Sequence, residues 1–231
     1  MTTQQLLAPF RCAITDFNMI ADGDKIAVGV SGGKDSLTLL ALLKAYQRFS
    51  PQKFELAAIT VDMGFDKLDF SPVADFCKAN DIDYYLQKTD IAQIIFEKCP
   101  ESPCSLCSRM RRGALNGKLN EIGFNKLALG HHSDDVIETF FLSLFYEGRL
   151  STFAPTSFMS RTKITVIRPM IYISEREINA YAKNLPVVVN PCPADKHTQR
   201  QYMKDLLHNV QKDIPFVKER IFSAISHLDR Y

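Results

Sequence analysis

The densest chemistry in this chain lies at Ser31-Gly32-Gly33-Lys34-Asp35-Ser36, which follows directly on the apolar run Lys25 to Val30 and leads into Leu37-Thr38-Leu39-Leu40. Two adjacent glycines let the backbone come close to a ligand. The exposed N–H groups of a turn and helix start attract an anion, and Ser31, Lys34 and Ser36 add donors. That combination is a phosphate cradle. A Walker A loop would carry Gly at 28 and Ser or Thr at 35, where this chain has Val28 and Asp35, and no G-x-G-x-x-G is present. Both common nucleotide fingerprints are therefore excluded. A carboxylate inside a phosphate cradle needs a neutralising cation, so Asp35 points to Mg²⁺ riding on the phosphates.

A second group is Leu129-Gly130-His131-His132-Ser133-Asp134-Asp135. By itself it reads as a turn opening a helix with acids in the first turn, where the helix dipole favours them. Across a cleft from a phosphate loop, Asp134 and Asp135 would also suit a metal or a proton transfer. The third group is sulfur: Cys104-Ser-Leu-Cys107, and Cys192 within Asn190-Pro-Cys-Pro193. Thiols near a helix start and beside Arg109, Arg111 and Arg112 are expected to have lowered pKa values, which suits metal binding, redox exchange or persulfide chemistry. With His197 the three cysteines make a Cys₃His zinc set; alone, three thiolates with an open corner describe a [4Fe–4S] cluster able to take an external ligand. Cys12 and Cys77 fall in helical patterns as small core residues, and Cys99 lies close enough to the pair to leave the ligand choice open.

Basic residues flank the sulfur. Arg109, Arg111, Arg112 and Lys118 follow the Cys pair, and Lys196, His197, Arg200 and Lys204 follow Cys192. If the cysteines converge, both stretches form a local positive rim for an RNA backbone, with His197 and Tyr202 as candidates to stack on a base. Overall charge does not carry this reading: 28 Lys plus Arg against 26 Asp plus Glu leave only +2, far from the excess of a protein held to nucleic acid by charge alone.

These residues need elements to position them. Short β-branched runs at 25–30, 54–61, 84–86, 126–129 and 164–167 alternate with helical periodicity at 36–49, 72–80, 109–122 and 134–146. Such alternation predicts an α/β fold, an open parallel sheet with helices on both faces, and ligands beyond the carboxyl ends of its strands. The periodicity divides the chain into an N-terminal helix (1–22), an α/β domain carrying the C-x-x-C (23–170) and a helical C-terminal part carrying the third Cys (171–231), the last a candidate homodimer surface. With 231 residues, 46% hydrophobic and 23% charged, the chain is neither disordered nor a disulfide scaffold. No apolar run approaches a membrane span and none resembles a signal peptide, so a cytoplasmic protein is expected.

Ser-Gly-Gly-Lys-Asp-Ser after a first strand resembles the PP-loop of the ATP pyrophosphatase family, whose members adenylate a carbonyl oxygen and release pyrophosphate. Gly-His-His-x-Asp-Asp resembles that family's second motif. The resemblance implies that Val61, Asp62, Gly130 and His131 join residues 31–36 around ATP. Together with Pro103-Cys-Ser-Leu-Cys-Ser-Arg-Met-Arg-Arg-Gly113 and Ile167-Arg-Pro-Met-Ile-Tyr172, these motifs resemble the tRNA 2-thiocytidine synthetase group of PP-loop enzymes. That implies a [4Fe–4S] cluster on Cys104, Cys107 and Cys192, with Arg111 polarising the substrate. It also implies catalytic roles for Asp35, Asp134 and Asp135, and tRNA contacts from Arg109, Arg112, Lys196 and Arg200. The sulfur donor would be a cysteine desulfurase or free sulfide. The chain departs from the better-known members after Cys192, where Pro193-Ala194-Asp195 replaces Asn-Leu-Cys.

Overall fold

The computed structural model describes residues 1–65, 68–98, 103–189, 191–192 and 199–228. In chain order the elements are α1 (Thr3–Asp16), β1 (Asp24–Gly29), α2 (Lys34–Gln47), β2 (Phe54–Asp62), α3 (Ser71–Ala79), β3 (Asp83–Lys88), α4 (Ile91–Lys98), α5 (Pro103–Glu121), β4 (Lys126–Ala128), α6 (Ser133–Leu142), β5 (Thr156–Met159), β6 (Ile164–Ile167), α7 (Glu175–Tyr181), α8 (Gln199–Asp213) and α9 (Val217–Ile225). A π-turn, Ser143–Glu147, extends α6, and a 3₁₀ turn, Ala182–Asn184, follows α7.

The strands form one sheet in the order β3-β2-β1-β4-β6-β5. All pairings are parallel except the β5–β6 hairpin at the edge. From β1 the chain moves outward to β2 and β3, then returns to place β4 on the other side of β1. The crevice between the ends of β1 and β4 is thus the topological switch point, where an open α/β sheet binds ligands. Residues 31–36 leave β1 at this crevice and residues 130–135 leave β4 there. At the opposite end of the same two strands, buried Asp24 pairs with Lys126 at 2.5 Å and accepts from Asn125 Nδ2 at 2.9 Å.

Both sheet faces are covered, as the near-continuous apolar strands require. One core joins Leu6, Phe10, Leu39, Leu43, Val28, Ala58, Val73 and Ile178; a smaller one on the other face joins Ala57, Ile59, Leu119, Phe124, Leu127 and Val166. Among the described residues no helix is long and apolar enough to cross a membrane.

The structure departs from the sequence expectation at four elements. The N-terminal helix ends at Asp16 rather than near 22, because Asn18 takes a left-handed φ of 47°. Met19 and Ile20 continue the apolar pattern as buried non-helical residues. α4 is not foreshadowed by the periodicity because it is only eight residues long, too short for a helical period to stand out. β5 is a half-buried four-residue edge strand with little alternation. α5 begins at Pro103, not near Ser108, since Pro is well placed in a first helical turn. Cys104 and Cys107 therefore stand one turn apart on a helix rather than in a loop.

Candidate active site

The phosphate loop is held from within. Ser31 N donates to Ser36 Oγ at 3.1 Å, Gly33 N to Ser31 Oγ at 3.3 Å, and Ser36 Oγ to Gly33 O at 3.0 Å. Gly33 caps α2 in extended conformation without a side-chain acceptor, which leaves the first-turn N–H groups to a ligand. Gly32 has φ +82°, and a Cβ there would lie 2.9 Å from Val188 Cβ. Val188 N also donates to Gly32 O at 2.9 Å. Gly130 brings the second motif against the loop: a Cβ on it would meet Asp35 C at 3.0 Å and Ser36 N at 3.1 Å. Both are backbone atoms that cannot turn aside. Gly130→Ala is expected to weaken nucleotide binding about ten-fold and to cost about 1–3 kcal/mol of stability through overpacking. Nucleotide titration and thermal melting check this; unchanged values in both would contradict the close approach.

Charge around the loop is organised by helices distant in sequence. Lys34 Nζ donates to Asp35 Oδ1 at 2.7 Å and to Glu175 Oε1 at 3.1 Å, and Lys204 Nζ reaches the same Glu175 oxygen at 2.8 Å. Burial alone would raise the Glu175 pKa, but bonds to Lys204 and Lys34 bring it down to about 2. Burial likewise works against charge on Lys34, and Asp35 and Glu175 outweigh it, so its pKa is raised. His132, 3% exposed, lies with Nε2 at 3.8 Å from Asp35 and 3.4 Å from Asp135, while its Nδ1 has no hydrogen-bond partner among the described residues. Arg200 bridges Asp135 at 3.2 Å and Glu138 at 3.1 Å and donates to Thr139 Oγ1 at 3.0 Å. Burial pushes Glu138 up to about 7 against the pull of Lys204 and Arg200.

The expected pair of acids divides. Asp135 faces His132 and Arg200. Asp134 is buried and lies 3.9 Å from the other ring nitrogen of His132, but its hydrogen bonds go elsewhere: it accepts from Glu175 N at 2.7 Å and from Lys218 Nζ at 2.8 Å, tying α6 to α7 and α9. Arg200, expected on the RNA surface, is committed to the carboxylates of α6. Behind the loop His131 accepts from Arg168 Nε at 3.3 Å and packs 4.9 Å from the Phe153 ring, over which Arg168 also lies. Burial, against the charge of Asp135 and with that of Arg168 and Arg200, lowers the His131 pKa to about 4. Its ring is neutral near pH 7.

Val61 and Asp62 close β2, at the same sheet end as the loop. Asp62 Oδ1 accepts from Gly64 N at 2.9 Å. The next residue carries the site toward sulfur, for Met63 Sδ lies 3.6 Å from Cys107 Sγ. Cys107 also interacts with Arg111, Cys192 and Cys104, so the sequence-predicted cysteines come together. Its thiol does not follow the expected downward shift. Burial raises its pKa, and the neighbouring cysteines reinforce that against the pull of Arg111. Cys77 is buried, its pKa raised by desolvation to about 11, as expected of a core residue, whereas Cys12 is exposed. Among the described residues no three His, Cys, Asp or Glu side chains are close enough to hold a single metal ion. Arg109 and Arg112 are exposed on α5. Lys196, His197 and Cys99 lie outside the described residues.

Glu175 and Glu138 carry no local signal in the sequence, since their partners lie up to 141 residues away. His132 and Arg168 stand within quoted motifs without a role of their own, and Lys204, expected on the positive rim for RNA, turns to Glu175 instead.

A glycine phosphate loop at the switch point of a parallel sheet, faced by an acidic motif from β4, defines a PP-loop domain, and the PP-loop domain family matches residues 4–210. A tRNA-cytidine(32) 2-sulfurtransferase of Geobacter sulfurreducens is 41% identical over 222 residues, covering 94% of this chain and 86% of that protein. The enzyme of the same name from Pseudomonas aeruginosa is 40% identical over 221 residues, covering 94% and 81%. The chain belongs to this PP-loop family of tRNA sulfurtransferases. The structure of the U34-tRNA thiolase NcsA from Methanococcus maripaludis with its [4Fe-4S] cluster is similar, with 25% identity, a TM-score of 0.76 and coverage of 97% and 78%. An NH₃-dependent NAD synthetase from Campylobacter jejuni shares the fold at 14% identity and a TM-score of 0.55, with coverage of 98% and 93%.

Proposed function

We propose that this protein thiolates the C2 position of a tRNA cytidine, residue 32 by analogy with its relatives, after activating the carbonyl with ATP. The observation that carries the reading is the contact of Cys107 with Met63, the residue after Asp62. It puts a sulfur-bearing helix and the nucleotide loops at one end of the sheet. Such proximity is what a two-part reaction needs. The C2 oxygen attacks the α-phosphorus, pyrophosphate leaves, and the oxygen becomes part of an AMP leaving group; a sulfur nucleophile then adds at C2 and AMP departs with the original oxygen.

The residues divide accordingly. Residues 31–36 bind the phosphates through backbone N–H groups and Lys34, and Asp35 is the residue that would hold Mg²⁺, which would supply charge neutralisation there. Val61, Asp62, Gly130 and neutral His131 border the nucleotide, while Asp135, oriented by His132 and Arg200, faces the loop. Cys104, Cys107 and Cys192 are the soft donor set that a [4Fe–4S] cluster requires, and the position of Cys107 near both of the others supports its fit. Bound there with one iron open, the cluster would supply a site for the incoming sulfur. The donor is a cysteine desulfurase or free sulfide. Arg111, against Cys107, is suited to polarise the substrate, and the exposed Arg109 and Arg112 to take flanking phosphates of an unstacked anticodon loop. This substrate puts the enzyme in the cytoplasm.

Mass spectrometry of tRNA nucleosides tests the reading. Deleting the gene is expected to remove 2-thiocytidine, and restoring the gene to return it. An unchanged thionucleoside profile refutes the substrate.

A further inference from the structure

Arg168 follows the carboxyl end of β6 and directs a charged guanidinium at neutral partners. Its three hydrogen bonds among the described residues go to His131 Nδ1 at 3.3 Å, to Ala154 O at 2.7 Å and to Ser157 Oγ at 3.4 Å, none of them an acid. Phe153 packs against both side chains, 4.9 Å from the His131 ring and 5.0 Å from the guanidinium. The imidazole is thus flanked by an aromatic ring and fixed in rotation by one donor. Burial, and after it the charge of Arg112, bring the Arg168 pKa down only to about 10, so the donor stays charged at neutral pH. On the loop side Gly130 packs on the backbone of Asp35 and Ser36, which puts His131, the next residue, beside the open first turn of α2.

A guanidinium N–H can only donate, so the nitrogen it meets must present a lone pair. In a neutral imidazole the proton then sits on the other nitrogen, Nε2. Turning the ring over would set a C–H against the Arg168 donor and lose a charge-assisted hydrogen bond. Nε2 itself has no partner among the described residues, and the half-buried ring leaves its N–H open to a ligand. His132, next in the chain, has no such anchor, since its Nδ1 is without a partner among the described residues. We infer that Arg168 is a positioning residue that fixes His131 as its Nε2–H tautomer, and that this N–H is a donor for a phosphate oxygen of the bound nucleotide. This rests on the proposed border of the nucleotide by Gly130 and His131. A neutral donor set in advance meets, without reorganising, the charge that develops on the α-phosphate during attack.

Long-range proton–nitrogen NMR spectra of the full chain, labelled at its histidine nitrogens, test this at neutral pH, because the two ring nitrogens differ widely in shift according to which carries the proton. The chain has five histidines, and His131→Gln identifies the resonances of interest by their loss. His131 is expected to show the Nε2–H pattern alone. In Arg168→Met its two nitrogen shifts should converge as the tautomer ratio falls about ten-fold or more, the worth of one charge-assisted hydrogen bond. His227, just beyond α9 with Nδ1 2.6 Å from Ser223 O, serves as the unaffected reference. A purely structural role for Arg168, tying Ala154 and Ser157 to β6, would lower thermal stability and leave the His131 shifts in place. The probe α,β-methylene-ATP with Mg²⁺, its binding followed by calorimetry, should move the His131 Nε2 resonance and leave Nδ1 near its free value. A ring that carries its proton on Nδ1 or exchanges between tautomers in the unaltered protein overturns the inference. So do shifts that Arg168→Met does not move, or an Nε2 resonance that bound nucleotide leaves in place. No tRNA enters the experiment, so failure of the substrate reading, seen in the nucleoside profile, is distinguishable from failure of this assignment.

Discussion

Replacing Asp35 by alanine is expected to lower the rate of pyrophosphate release from ATP by at least about 100-fold, the scale on which loss of one preorganised charge group acts in a site of this kind. The carboxylate sits in the first turn of α2, 2.7 Å from Lys34 Nζ and 3.8 Å from His132 Nε2, and is 36% exposed. It is too open to matter much to the core. Without a cation, an acid there opposes the phosphates that the surrounding N–H groups attract. With Mg²⁺ bound, the same acid would hold the ion, which would neutralise the charge that develops on the phosphates. The fold should survive, because a partly exposed site of this kind usually changes stability by only about 0.5 kcal/mol. Asp35→Asn keeps the shape and removes the charge, so it should be nearly as inactive as the alanine variant. Coupled pyrophosphate assays across a Mg²⁺ series, with thermal melts as control, decide the matter. Retention of more than about one-tenth of the rate would contradict the cation role. Production of ADP and inorganic phosphate would contradict the chemistry.

Cys104→Ala, Cys107→Ala and Cys192→Ala are each expected to abolish tRNA thiolation and to strip iron from anaerobically reconstituted protein, whereas Cys12→Ala and Cys77→Ala should leave both intact. Three thiolates hold an iron–sulfur cluster with one iron left for an external ligand, so the loss of any one leaves too few anchors. The structure separates the two sets. Cys107 interacts with Cys104, Cys192 and Arg111, while Cys77 is a fully buried member of the main core and Cys12 lies exposed on the first helix. Cys77→Ala removes a small buried side chain and is expected to cost about 1 kcal/mol of stability without touching iron. Iron and sulfide analysis with visible absorption reads the first effect and nucleoside mass spectrometry the second. A colourless anaerobic protein holding one zinc would overturn the cluster, and iron retained after loss of any of the three thiols would overturn the ligand set.

Pyrophosphate release should persist in the three cysteine variants, since the phosphate loop and its Ser31–Ser36 hydrogen bonds involve no sulfur. That split between activation and sulfur transfer separates the two halves of the site experimentally.

The phosphate loop, the Gly-His-His-x-Asp-Asp turn, the C-x-x-C pair and the alternation of strands and helices were all legible in the chain itself. Each is a local pattern. A glycine turn, a helix start or a two-residue strand period depends on neighbours within a few positions, and the switch-point rule turns strand alternation into a location. Where local pattern misled, a nearby feature competed with it: Asn18 ended α1 early, and Pro103 drew the start of α5 back over the cysteines. What only the tertiary structure decided is how charge is shared around the loop. Asp134 and Asp135 are adjacent in sequence and share His132 between them, yet one is hydrogen-bonded to Lys218 and Glu175 and the other is paired with Arg200. Glu175 reaches Lys34 across 141 residues and Glu138 meets Arg200 across 62. The Cys107 pKa, expected to fall beside three arginines, rises because burial outweighs Arg111. Sequence records which groups are present, but the partner of a charge and its desolvation depend on which distant helices pack beside it, and no periodicity carries that information.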